Sequence, residues 1–221
     1  MLNQKSLRHN GERRKLRQKV SWLRKLAVKA AIKRREDSQE FAGVRLRKLP
    51  GDCFAMLKLL HICKPEVLVE IGSQYGGSAL MFASWAEHLG LEQIISVDIA
   101  DLPRPQHPLI TFVVGDSSLP ETVAKVFSLA GKRRGSLVLD SNHHAPHVRK
   151  ELALYQELIS PGQALIVEDT LVDVLHFKKF AQEGGPLRAL EEFLQEHPEF
   201  VPAEGVEPYV TTNFFGYLVR R

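Results

Sequence analysis

The chain has 221 residues, 44% hydrophobic and 25% charged, with two cysteines and a formal net charge of +4. Those proportions support one substantial core and argue against wholesale disorder, a fibrous repeat or a disulfide scaffold. No apolar run approaches the ~18 residues of a membrane-spanning helix, and the basic N-terminus lacks the apolar stretch of a secretory signal, so the expected setting is the cytoplasm. Cys53 and Cys63, if on one helix, stand roughly 15 Å apart, too far to bridge, and are expected as reduced, buried thiols.

The charge is unevenly distributed. Residues 1–35 carry thirteen Lys and Arg against the single acid Glu12, while the remaining 186 residues carry seventeen basic and twenty-five acidic side chains. The basic character therefore belongs to an extension, residues 1–40, and the body is mildly acidic, which makes nucleic acid an unlikely partner for it. A helical period runs through the extension, with Leu16, Val20, Leu23, Ala27, Ala30 and Ala31 on one face and Arg17, Arg24, Lys25, Lys29 and Lys33 around the rest. Trp22 and Leu26 fall at the border. Docking of this stripe on the body or a second subunit, or contact with the inner face of a membrane, would each use such a helix. RNA contact and an organellar transit peptide are the remaining readings.

From residue 41 the pattern alternates. Runs rich in Val, Ile and Leu at 67–71, 94–98, 110–114, 137–140 and 164–168 predict strands, and the stretches 52–63, 78–89, 120–130 and 148–160 predict helices. Strand, crossover helix and strand, repeated, gives a parallel sheet covered on both faces. A helix at 186–197 begins on Pro186, a residue suited to a first turn. Candidate strands at 199–201 and 215–219 complete a mostly parallel seven-stranded α/β sheet over residues 41–221.

Ligands of such sheets bind beyond the carboxyl ends of the strands, so the residues at those ends carry the functional information. The first strand runs into Glu70-Ile71-Gly72-Ser73-Gln74-Tyr75-Gly76-Gly77-Ser78. A dinucleotide fingerprint would need glycine at position 74, where Gln74 stands. Asp98, 26 residues after Gly72, is placed to accept bonds from both ribose hydroxyls, and Gly115-Asp116-Ser117 offers polar groups to an adenine amine. An acidic strand end without a pyrophosphate cradle suits a cationic nucleoside. The pattern E-x-G-x-x-x-G resembles motif I of class I S-adenosylmethionine (SAM) methyltransferases.

The fourth and fifth strands end in Asp140-Ser141-Asn142-His143 and Glu168-Asp169-Thr170. Neighbouring strands lie ~4.8 Å apart, which brings Asp140 near Glu168 and Asp169. Three carboxylates converging with no lysine or arginine between them call for a cation, and an all-oxygen set favours Mg²⁺ over zinc.

The stretch Asp140-Ser-Asn-His-His-Ala-Pro-His147-Val-Arg-Lys-Glu151, with Leu158-Ile-Ser-Pro161-Gly162 and Ile166-Val-Glu168-Asp169-Thr170, resembles the cephalosporin hydroxylase/rhamnosyl O-methyltransferase family. Gly43-Val44, Lys48-Leu-Pro50-Gly-Asp52 and the closing Gly216-Tyr217-Leu218 extend the similarity over roughly residues 41–221. Asn142 departs from the acid or serine usual there. The resemblance implies a Rossmann-like class I methyltransferase fold, SAM and Mg²⁺ as cofactors, and a homo-oligomer. It also implies transfer to a hydroxyl of a sugar, a polyketide or a glycolipid. It assigns Glu70, Gly72, Ser73 and Ser78 to the methionine portion, Asp98 to the ribose, Asp116 and Ser117 to the adenine side, and Asp140, Glu168 and Asp169 to the metal. By similarity to the more distant catechol methyltransferases, His143 takes the position of the general base.

His147, four residues on, is expected to stack on or orient His143. His144 reads as a loop residue and His176 as a surface position. Phe177, Phe180, Phe214 and Phe215 are candidates for an acceptor pocket, with core filling the alternative for at least half of them. An RNA methyltransferase using the tail to grip phosphates and a SAM-binding scaffold without turnover are the alternative functions.

Overall fold

The computed structural model describes residues 20–34 and 39–221. Helix α1 (Trp22–Arg34) is followed by a small hairpin, β1 (Glu40–Phe41) and β2 (Val44–Arg45). The body then alternates α2 (Pro50–Cys63), β3 (Val67–Ile71), α3 (Gly77–Ser84), α4 (Ala86–Leu89), β4 (Gln93–Asp98), β5 (Ile110–Val114), α5 (Pro120–Ala130), β6 (Gly135–Leu139), α6 (Ala145–Tyr155) and β7 (Ala164–Val167). Short α7 (Leu171–Val174), α8 (Pro186–Glu196), β8 (Phe200–Pro202) and β9 (Tyr217–Arg220) complete it.

The sheet runs β5-β4-β3-β6-β7-β9-β8, with the first five strands parallel and β9 antiparallel to both of its neighbours. Central strands β3, β6 and β7 are buried along their whole length, which is why they read as unbroken apolar runs rather than alternating ones. Alternate residues serve the two faces. Val67, Val69 and Ile71 pack with Val126, Leu152 and Leu190 under α5, α6 and α8. Leu68, Ile94, Val138 and Ile166 pack with Met56, Leu60 and Phe82 under α2 and α3.

Helix starts follow proline. Pro50, Pro120, Pro146 and Pro186 all sit in first turns, where a fixed φ suits the helix and the missing N–H is not needed. Pro146 starts α6 three residues earlier than the expected 148, and its end tightens into a 3₁₀ turn at Gln156–Leu158. The expected helix 78–89 breaks at Trp85 into α3 and α4. Cys53 and Cys63 are buried at the two ends of α2, and burial pushes both thiols up to about 11.

The expected inner face of α1 is corrected. Val20 and Val28 are the buried residues, joined by partly buried Ile32 in a cluster with Leu171, Val174, Leu187 and Phe214. Arg24 lies on this same face: it donates to Glu207 Oε1 at 2.6 Å and covers the Phe214 ring. Leu23 and Ala30, expected inward, are exposed, and Leu16 lies outside the described residues. Apolar residues occupy both sides of α1, so periodicity alone did not fix which side docks.

Candidate active site

Beyond β3 the chain turns at Gly72, with φ +100, against the tip of β6. A Cβ at Gly72 would lie 2.0 Å from the Asp140 carbonyl oxygen, so only glycine permits this crossing. Ser73 and Ser78 are buried on the turn, and Glu70 is buried behind it. Ser96 Oγ donates to Glu70 Oε2 at 2.7 Å, while Glu70 Oε1 and Ser73 Oγ are buried without a hydrogen-bond partner. Burial holds the Glu70 carboxyl above the usual range, with Lys48 working the other way. Buried polar atoms left unpaired beside a glycine turn suit a polar ligand that supplies the missing bonds.

Asp98, at the end of β4, accepts the Gln74 N–H at 2.7 Å and the Ala100 N–H at 2.9 Å, which pins the turn to the second strand. Asp116 accepts the Ser118 N–H at 2.8 Å, and that bond lowers its pKa. Ser117 is held from below, where its hydroxyl donates to Glu151 Oε1 and its carbonyl accepts Tyr155 OH at 2.8 Å. The fully buried Glu151 also accepts Ser141 Oγ at 2.6 Å and faces His147 Nε2 at 3.1 Å. One carboxylate therefore ties the loop after β5 to the loop after β6. Glu151 stands in the motif that opens at Asp140, and nothing local to it signals this anchoring.

Gly72, Asp98, Asp116, Ser117, Asp140 and His143 line one groove of about 810 Å³. An adjoining hollow of about 330 Å³ is shared by Lys48, Ser73, Ser78 and Asp169, with Gly72, Asp140 and His143 common to both. The side chains expected around one ligand thus meet at one place, and Glu70 and Glu168 are buried beside it.

The acidic tips converge, but not without a lysine. Lys48, from the segment after β2, is buried and donates to Asp140 Oδ2 at 2.8 Å and Glu168 Oε1 at 2.5 Å. This corrects the expectation that no basic residue stands among the carboxylates. The site of Lys48 lies 92 residues before Asp140; its only sequence signal was its place in a family motif. Burial opposes the ammonium, but Asp140, Glu168 and Glu70 outweigh it and keep its pKa above the ordinary lysine value. Burial also works against the Asp140 carboxylate, yet Lys48 and His143 prevail and lower it to about 2. Glu168 is shifted up, by burial and by the neighbouring Asp140 charge.

Asp140, His143 and Asp169 form the outer set, with one potential ligand atom from each lying within 4.8 Å of the others. His143 Nε2 is 3.3 Å from Asp140 Oδ1 and 3.6 Å from Asp169 Oδ2. Glu168, expected beside these two as a ligand, faces Lys48 instead. The two carboxylates at this hollow are oxygen donors that suit Mg²⁺, and the His143 imidazole stands beside them.

Asp169 sits in the left-handed region, φ +51, an uncommon conformation for a residue with a side chain. Its N–H donates to Asn213 Oδ1 at 2.9 Å. The loop carrying Asn213 is fixed by buried Asp52, which accepts from Thr212 N–H at 2.9 Å and from Tyr217 OH at 2.8 Å as well as from the Thr211 hydroxyl. Neither Asp52 nor Asn213 had a role in the sequence reading.

His144 is the loop residue that precedes α6 and His176 is exposed, both as expected. His143 therefore lies ahead of the helix, and the expectation for His147 is corrected: it turns to Glu151 rather than stacking on His143. His144 Nδ1 lies 3.0 Å from Glu183 Oε2 and its ring packs on Phe180. Phe180 and Phe214 are buried in the cluster under α1, which bears out core filling for two of the four candidate aromatics. Phe177 and His176 line a separate hollow of about 590 Å³ beside α8.

The strand order, the reversed β9 and the acid-tipped strand ends define the Rossmann-like fold of class I methyltransferases. The sequence matches the family described as Rhamnosyl O-methyltransferase/CmcI over residues 33–221, and the chain belongs to that family. It is an enzyme of the SAM-dependent O-methyltransferase class. Among relatives, the Rhamnosyl O-methyltransferase of Mycobacterium leprae (strain TN) is 33% identical over 165 residues, 71% of this chain and 70% of its own. That of Mycobacterium bovis (strain BCG / Pasteur 1173P2) is 28% identical, covering 72% and 67%. Among solved structures, CmcI with Mg and SAM superposes with a TM-score of 0.62 at 22% identity, over 84% of this chain and 77% of that one. MycE with Mg and S-adenosylhomocysteine gives 0.51 at 18%, over 70% and 45%.

Two outcomes follow from the buried charges. K48M strands two carboxylates and is expected to cost about 3–5 kcal/mol in urea unfolding. The same change in an E168Q background is expected to cost clearly less, and equal costs would show that Lys48 is not compensating Glu168. The Glu151 bond raises the His147 pKa. Its stabilisation is therefore present below the unfolded value near 6.5 and lost as pH rises through the folded one. E151Q should move the His147 NMR titration midpoint downward.

Proposed function

We propose that the chain transfers the methyl group of SAM to a hydroxyl of a sugar, a rhamnosyl unit first, on a polyketide-type or glycolipid metabolite, in a Mg²⁺-dependent reaction. The observation that carries the proposal is the Asp140–His143–Asp169 cluster facing the hollow shared with the Gly72 turn. The names of the mycobacterial relatives support a rhamnosyl acceptor, and the bound groups of the CmcI and MycE structures support SAM and Mg²⁺.

The chain's residues divide the work by position. Glu70, Gly72, Ser73 and Ser78 take the methionine portion, where Ser73 Oγ and Glu70 Oε1 lack bonds of their own. Asp98 takes the ribose, its oxygens already oriented by the Gln74 and Ala100 N–H groups. Asp116 and Ser117 border the adenine side. Asp140 and Asp169 would hold Mg²⁺, with Glu168 as the third carboxylate behind them, paired with Lys48. Bound there, the cation would supply Lewis acidity that lowers the pKa of the acceptor hydroxyl.

His143 Nε2 accepts the hydroxyl proton as the acceptor oxygen bonds to the methyl carbon and the carbon–sulfur bond breaks. S-adenosylhomocysteine, the methyl ether and an imidazolium result, so charge balances. The sulfonium methyl is intrinsically reactive, and alignment of the donor with the acceptor oxygen accounts for most of the protein's contribution. Burial opposes the His143 imidazolium, but the bond to Asp140 and the charge of Asp169 outweigh it and raise its pKa. The basic form accordingly gains as pH rises.

Methyl transfer to a panel of rhamnosides should cease in EDTA and return with Mg²⁺. D140N and D169N should each lower it by on the order of a hundredfold or more, with S-adenosylhomocysteine affinity nearly unchanged by calorimetry. Full activity in EDTA would remove the metal from the proposal. H143A should reduce the rate by about a hundredfold and flatten its rise with pH between about 6 and 8. A wild-type-like pH profile in H143A would remove His143 as the base.

A further inference from the structure

Helix α1 already docks on the body through Val20, Val28 and Ile32, yet its opposite face is also apolar. Trp22, Leu23 and Leu26 are 69%, 63% and 44% exposed, and Ala30 and Lys29 continue the same outward face. A helix that has buried one stripe has no folding reason to display a second, and large exposed apolar side chains in contiguity mark a contact surface. Arg24, on the docked face, donates to the Tyr209 carbonyl oxygen at 2.7 Å and pairs with Glu207. The helix carries no acid over residues 22–30.

We infer that this face of α1 seats on an anionic lipid surface. Exposed Trp22, Leu23 and Leu26 flanked by Lys25 and Lys29 match what inserts at a headgroup layer. Positions 1–35 carry thirteen basic residues against one acid, and all but Arg24, which Glu207 pairs, add attraction to anionic headgroups. Pairing α1 with α1 of a second copy would bring two such cationic segments together, so charge disfavours the same patch as a symmetric dimer contact. The remaining 186 residues, with a surplus of eight acids, add no net attraction to an anionic surface, so the attraction comes from the α1 end of the chain. Ile32, near the other end of α1, lines the hollow with Lys48, Asp140, His143 and Asp169. The contact therefore brings the site near the lipid, where a lipid-linked acceptor resides; that consequence rests on the proposed function, and the surface contact does not.

The test uses the full chain with W85F, so that Trp22 is the sole reporter, and vesicles of phosphatidylcholine with or without phosphatidylglycerol. Co-sedimentation is expected only with the anionic vesicles, together with a shift of Trp22 emission to shorter wavelength. L23Q/L26Q, which leaves charge unchanged and alters only exposed positions, should weaken binding about tenfold or more. It should keep the melting temperature and methyl transfer to a soluble rhamnoside, so loss of that transfer in the parent chain would count against the proposed function alone. Equal binding by L23Q/L26Q, or binding without the emission shift, would overturn the inference in favour of attraction by the basic tail only. A wild-type dimer that L23Q/L26Q converts to monomer, without vesicle binding, would assign the face to a second copy and also overturn it.

Discussion

Parallel strands deliver their carboxyl ends to one edge of the sheet, and in this protein three neighbouring strands, β3, β6 and β7, carry acids there. Glu70, Asp140 and Glu168 lie in or beside the same wall, and two of them are withdrawn from water. Charges so placed repel strongly and are poorly solvated, so a compensating cation is a condition of the fold as well as of the chemistry. Lys48 meets that condition with one ammonium group shared by two carboxylates. Its effect is to keep Asp140 ionised and aimed at the hollow, where the outer set of Asp140, His143 and Asp169 gathers.

A second layer fixes the first. Asp52 at the start of α2 organises the 211–213 loop, and Asn213 from that loop holds Asp169 in a backbone conformation it would otherwise seldom adopt. Glu151 on α6 does the corresponding work on the other side, where it spans the loops after β5 and β6. Both carboxylates are buried: Asp52 is bonded to hydroxyls and a backbone N–H, and Glu151 to two hydroxyls and the His147 ring. They position parts that come from strands far apart in sequence. The loops after β5 and β6 and the loop that holds Asp169 are consequently fixed by separate anchors, each tied to a different helix start or helix face.

Much of this was legible in the residues. Central strands announced themselves as unbroken apolar runs because both of their faces are covered. Gly72, Asp98, Asp116, Asp140 and Asp169 stood at strand ends, where sheet geometry makes position informative. The less legible parts share one cause. Lys48, Asp52 and Asn213 act on partners 44 to 165 residues away, and no local pattern distinguishes them from other polar residues near a turn. His147 was misplaced because Pro146 starts α6 early, which puts His143 ahead of the helix rather than on its first turn.

Local sequence determined where the strands and helices form, because burial on two faces, proline at first turns and glycine at a crossing act over a few residues. It also determined which acids stand at the strand tips. Only the tertiary structure decided which cation neutralises them, which carboxylates face the hollow, and which side of α1 docks. Those outcomes depend on desolvation and on charges meeting across the sheet, and both arise only once distant segments are packed together.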